Sequence, residues 1–140
     1  MTTNKILLGG LAGAVTLFIL KWIVYGVLLI DWITANLNPC IMRPMDDYII
    51  WAMILATFAF GFLLSLIFSW SNTTGMAKGA KVAGIIGLLY SISVDLTVYG
   101  TSTRFISFSP VFVNIIVNTI MWVIAGAVVG WVMGLGKKEA

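Results

Sequence analysis

The chain has 140 residues, 61% of them apolar and 9% charged, with a net charge of +3 and a mean hydropathy of +1.07. Soluble domains run near about 45 to 50% apolar and about 25% charged, so this composition excludes a soluble globular protein and defines an integral membrane protein. With no histidine and one cysteine, the commonest hydrolase and metal-site arrangements are also removed.

Four continuous apolar runs, 6–30, 48–69, 82–100 and 111–135, can each cross a hydrocarbon core of about 30 Å, which takes roughly 20 helical residues. A membrane β-barrel would instead show alternating segments of about 10 residues. The predicted fold is therefore all-α: a four-transmembrane-helix bundle forming a single domain over 1–140. The first run follows Lys5, as the apolar region of a signal peptide follows its basic start. It is longer than a typical apolar signal region of about 7 to 15 residues, holds Lys21 and Trp22, and is followed by no convincing small-residue cleavage site, so it is expected to remain as the first span.

The connection at 31–47 carries Asp31, Asp46 and Asp47 against Arg43, and Pro39 and Pro44 disfavour a continuous helix there. Cys40 has no partner for an internal disulfide and reads as a loop thiol. The three acids could approach a cation, but nothing in their spacing fixes a geometry, and no metal or cofactor site is expected. Beyond the second span, the 70–81 connection contains Lys78 and Lys81, and beyond the fourth the tail contains Lys137 and Lys138. With Lys5 these place five lysines on one side, against Arg43 and Arg104 on the other, so both termini are expected in the cytoplasm. Lysines facing anionic lipid account for the positive charge without nucleic acid. Trp32, Tyr48 and Trp51 near the outer ends, and Trp70 and Trp131 near the inner ends, fit interfacial aromatic belts.

A shift of 74 residues lays the first span on the third. Gly10 falls on Gly84, Gly13 on Gly87, and Val24, Tyr25 and Gly26 on Val98, Tyr99 and Gly100. At the same offset Lys21 falls on Asp95. The pattern suggests a two-plus-two parallel repeat, which would put equivalent positions at equal depth. An independent estimate agrees: at 1.5 Å per residue, Lys21 and Asp95 lie roughly 22 and 20 Å from the inner ends of their spans. Gly10, Gly13, Lys21 and Tyr25 share one helical stripe, and Gly84, Gly87, Ser91, Asp95 and Tyr99 share another. Were the two stripes to face each other, the charges would meet. Asn118 and Asn114 in the fourth span and Thr57 in the second come to similar depth, which defines an expected polar layer of Lys21, Asp95, Asn118, Asn114, Tyr25, Ser91 and Thr57.

A lone Lys or Asp near the middle of a span costs about 2.5 to 3.5 kcal/mol, and fifteen Ile, Leu, Val and Phe residues in the first span offset that at about 0.3 to 0.6 each. The first span therefore inserts with Lys21 in it. Snorkelling to the nearer, outer surface is opposed by the tilt of Cβ toward the helix amino terminus. The layer can serve as a structural pair or as an ion, proton or ligand site.

Gly126, Gly130 and Gly134 recur every four residues in the fourth span, a spacing that lets helices approach closely in lipid. They can pack within the chain or form a seam with a second copy or another membrane protein.

Three segments, "KWIVYGVLL", "GMAKGAKVAGIIG" and the Asn-bearing "VNIIVNTIMWVIAG", together resemble the small uncharacterised four-helix membrane proteins found in bacteria. That resemblance implies a bacterial inner-membrane location and carries over no activity or site residue. Small multidrug transporters and fluoride channels share the size and helix number. The first span lacks the acidic residue expected of the former, and the chain lacks the polar and phenylalanine motifs of the latter. The expectation is a non-enzymatic structural or accessory membrane protein, with a small-solute or ion transporter or channel using Lys21 and Asp95 as the alternative.

Overall fold

The computed structural model describes residues 2–136. Helix α1 (Thr3–Ile23) runs into a π turn at Val24–Leu28 and then a short helix α2 (Ile30–Asn36). Three long helices follow: α3 (Ile50–Trp70), α4 (Met76–Thr101) and α5 (Ser109–Gly134). Four helical stretches, Thr3–Leu28 and the last three, are long and apolar enough to cross a membrane. There is no β-sheet among the described residues, so the all-α four-span architecture read from composition is the observed one. Lys137 and Lys138 lie outside the described residues.

Two boundaries differ from the expected ones. The third span begins at Met76 rather than 82, because helix α4 includes both Lys78 and Lys81. Gly75, at φ 95, makes the turn that starts it, a backbone region that favours glycine. The 31–47 connection is also more ordered than its prolines suggested. Besides α2 it contains single turns at Pro39–Ile41 and Met45–Asp47, each started by a proline at or just before its first residue, and Asn38 Oδ1 accepts from the Cys40 amide at 3.0 Å. The connection joins the 102–108 segment through an antiparallel bridge between Leu37 and Phe105, and through amide donations from Asn38 to Arg104 and from Ile106 to Asn36. Beneath it Ile33, Leu37, Phe105 and Val111 form a small buried cluster.

Helix α5 is the axis of the packing. It lies against α4 along one side and α1 along another, while α3 rests mainly on α1. Helices α4 and α5 run antiparallel in steps of four residues: Gly79 sits against Gly126 and Gly130, Ala83 against Gly126, Gly87 against Trp122, and Asp95 against Asn114. A side chain at Gly79 would collide with the Gly126 carbonyl, and one at Gly126 with Ala83. The Gly75 amide donates to the Gly130 carbonyl at 2.8 Å, which fixes the turn entering α4 to the end of α5.

This packing corrects one expectation and decides how a second stripe is used. The glycine stripes of the first and third spans do not face each other: Gly10 meets Phe62 of α3, Gly13 meets Gly61 of α3 and Val129 of α5, while Gly84 and Gly87 meet Val123 and Trp122 of α5. Of the two uses open to the Gly126, Gly130 and Gly134 face, packing within the chain is the one observed. The small residues of α4 and the turn before it already fill it, because two small-residue stripes bring backbones closest together. The duplicated Val-Tyr-Gly triplet also sits in two environments. Tyr25 belongs to the π turn and is half-buried, whereas Tyr99 is exposed against the Phe108 ring in the last turns of α4.

Gly79→Ala should lower stability by about 1 to 3 kcal/mol, as overpacking of a close seam does, when reversible unfolding is followed in mixed micelles. Gly100→Ala is the control. A side chain there meets nothing within 4 Å, so stability should hold or rise slightly.

Candidate functional site

The polar groups of the membrane interior follow from the α4–α5 register. Asp95 and Asn114 come opposite each other one step beyond the point where Ser91 falls opposite Asn118. The Asn114 amide nitrogen donates to Asp95 Oδ2 at 2.6 Å. An ionised carboxylate only accepts, so the amide turns its nitrogen to Asp95 and its oxygen to the other side. There the Tyr25 hydroxyl donates to Asn114 Oδ1 at 2.9 Å. Tyr25, Asn114 and Asp95 thus form one hydrogen-bonded chain from α1 through α5 to α4, and Asp95 is only 5% exposed.

The π turn positions the first member of this chain. The Leu29 amide reaches back five residues to the Val24 carbonyl at 2.8 Å, so Tyr25 leaves α1 in a locally widened turn. Such bulges inside helices re-aim side chains and occur often at functional sites.

Lys21 does not pair with Asp95. Its ammonium lies over the Phe60 ring, 5.3 Å from the centroid, and the one ion pair among the described residues is Arg43 with Asp47 at 3.0 Å on the exposed connection. The reason is the helix arrangement: Lys21 is on α1 facing α3, and Asp95 is on α4 facing α5. A cation over an aromatic face contributes about 0.5 to 2 kcal/mol, which lessens the cost of a half-buried lysine without requiring a carboxylate.

The other expected members separate. Thr57 is buried but donates to the Ile54 carbonyl of its own helix at 2.8 Å. Asn118 is half-buried and makes no side-chain hydrogen bond within the described residues. Ser91, 2% exposed, holds the one fully buried side-chain oxygen or nitrogen without a partner among them. That is unusual within this chain, since Thr16, Thr97, Thr101 and Thr119 each donate to the carbonyl four residues earlier.

Two features escaped the sequence reading. Phe60, Tyr90 and Trp122, from three helices, form an aromatic cluster with centroids 5.5 to 5.8 Å apart, and Lys21 rests on its Phe60 member. The four-residue step from Asn114 through Asn118 to Trp122 and Gly126 was the available signal that Trp122 points inward. Nearer the termini, Ser65 is fully buried and donates to the Ile6 carbonyl at 2.6 Å, joining α3 to the first turns of α1.

Two surface grooves, of about 410 and 190 Å³, lie between α4 and α5 and between α1 and α3. Neither is lined by Lys21 or Asp95. No group of three or more His, Cys, Asp or Glu side chains comes together among the described residues as it would to hold a metal ion. No protein-family model, no curated protein and no solved structure matches the chain. Fold and site together define a class: an all-α, multi-span membrane protein with a buried polar chain crossing three of its helices.

In a double-mutant cycle of Lys21→Leu and Asp95→Leu, the two effects on unfolding free energy should add within about 0.5 kcal/mol, because the side chains share no partner. A pair would instead make each single change costlier than both together. Ser91→Ala should be neutral or stabilising in the same assay, since it removes a buried hydroxyl that has no acceptor or donor.

Proposed function

We propose that the chain is a non-enzymatic structural or accessory protein of the bacterial cytoplasmic membrane, a single domain with both termini in the cytoplasm. The observation that carries this reading is the Tyr25–Asn114–Asp95 chain: each link is a direct protein hydrogen bond, and none of the three residues lines either of the two surface grooves. Interhelical hydrogen bonds of this kind act as glue in lipid, at about 0.6 to 2 kcal/mol each. The charge pattern supports the orientation. Lys5, Lys78 and Lys81 sit at the end of the bundle where α1 begins and α4 begins, and Arg43 and Arg104 at the other.

One observation favours a second reading, a transporter or channel for a small solute or ion. Ser91 leaves a buried, unbonded hydroxyl one helical turn from Asp95, on the face of α4 that packs on α5, and Tyr25 lies in a π turn. In this reading Lys21 acts apart from Asp95, through the aromatic cluster.

Reconstitution separates the two. Proteoliposomes carrying an imposed proton or sodium gradient should show no flux above protein-free vesicles, and affinity purification from native membranes should return a membrane-protein partner in simple stoichiometry. Flux that Asp95→Asn abolishes would replace the accessory reading with transport.

A further inference from the structure

The larger surface groove carries an inference independent of the polar chain. It runs along the seam of α4 and α5 and is lined by Lys81, Gly84, Ile85 and Leu88 from α4 and by Thr119 and Val123 from α5. Gly84 brings the two walls close together: a Cβ placed on it would run into Val123 Cγ2 of α5. The floor and walls are apolar apart from Thr119, whose hydroxyl is turned back to the Ile115 carbonyl at 2.7 Å. Its one charge, Lys81, stands at the end nearest the start of α4.

From Lys81 to Leu88 the groove follows α4 for roughly 10 Å, leading from the lysine into the apolar part of the span. Lys81 itself is five residues into the helix, roughly 7.5 Å from its start at Met76. Cβ bonds tilt toward the amino terminus of a helix, so the Lys81 stem leads back to the membrane surface at which α4 begins. Lys78, exposed and one turn nearer that surface, adds a second positive charge beside it. An apolar channel at acyl-chain depth, ending in two lysines at headgroup depth, is complementary to one class of molecule.

We propose that this groove seats an anionic phospholipid, with an acyl chain lying over Gly84 between Leu88 and Val123, and the headgroup phosphate held by Lys81 with help from Lys78. A zwitterionic lipid would fill the same hollow without the charge complementarity. Basic residues at the cytoplasmic mouth of a cleft between spans select anionic headgroups in this way.

The test is native mass spectrometry of the purified full chain in detergent doped with equal amounts of phosphatidylglycerol and phosphatidylcholine. Wild type should retain one phosphatidylglycerol in preference to phosphatidylcholine. Lys81→Gln, an exposed change that leaves the fold alone, should reduce that preference about fivefold. Lys5→Gln, at the same end of the bundle but off the groove, should leave it unchanged. Thr119→Leu, with both lysines intact, should weaken retention of the lipid by adding bulk to the groove lining. Equal retention of the two lipids by wild type, a preference that survives Lys81→Gln, or an equal loss with Lys5→Gln would each overturn the proposal. So would a wild-type dimer that Thr119→Leu converts to monomer, which would make a second copy the occupant.

Discussion

The close approach of α4 to α5 is the constraint on which the remaining structure depends. In lipid the helices gain nothing by hiding apolar side chains from water, so their association rests on packing and on hydrogen bonds between them. Gly79 under the Gly126 carbonyl supplies the first of these and the Gly75 amide bonded to the Gly130 carbonyl the second, and together they fix a register in four-residue steps. Once that register is set, Asp95 must arrive at Asn114. Trp122 must arrive at Gly87, where a larger residue would hold the helices apart. The aromatic cluster around Trp122 then gives α3 a point of contact with α4 through Phe60 and Tyr90.

The same constraint explains why the two intramembrane charges part company. Depth alone would allow Lys21 and Asp95 to meet, but a pair also needs the helices bearing them to pack, and α5 lies between the surfaces concerned. Each charge finds a local solution of the kind its chemistry permits. The carboxylate accepts from an amide, and the ammonium covers an aromatic face. A single asparagine, accepting from Tyr25 and donating to Asp95, then does what the expected ion pair was expected to do: it joins the halves of the bundle in the part away from the termini. Nearer the termini the joining is done by glycine and by Ser65 on the Ile6 carbonyl.

Much of the fold was legible in the sequence because membrane insertion depends on local composition. Apolar runs declare spans, and the observed helices fall within a few residues of those runs except at α4, where Lys78 and Lys81 had suggested a loop. Which helices touch is a different kind of property. The four-residue glycine spacing on α5 announced a close neighbour without naming it; of the matching Gly79, Ala83 and Gly87, Gly79 fell in an expected loop and Gly87 was read as part of a stripe facing the first span. Residue identity located Asn114, Asp95 and Tyr25 at one depth, but the partners of Lys21 and Ser91 depend on side chains contributed by other helices. The π turn at Val24–Leu28 had no signature that separated it from the identical Val-Tyr-Gly of α4, which stays α-helical.

The most direct measurement is a double-mutant cycle across the seam, comparing Asp95→Leu, Asn114→Leu and the double variant by reversible unfolding in micelles. If α4 and α5 are locked in this register with Asn114 as the junction, the cycle should show a coupling of at least about 0.5 kcal/mol, since each single change strands the other partner. Effects that add within about 0.3 kcal/mol would contradict the register and, with it, the central place of α5.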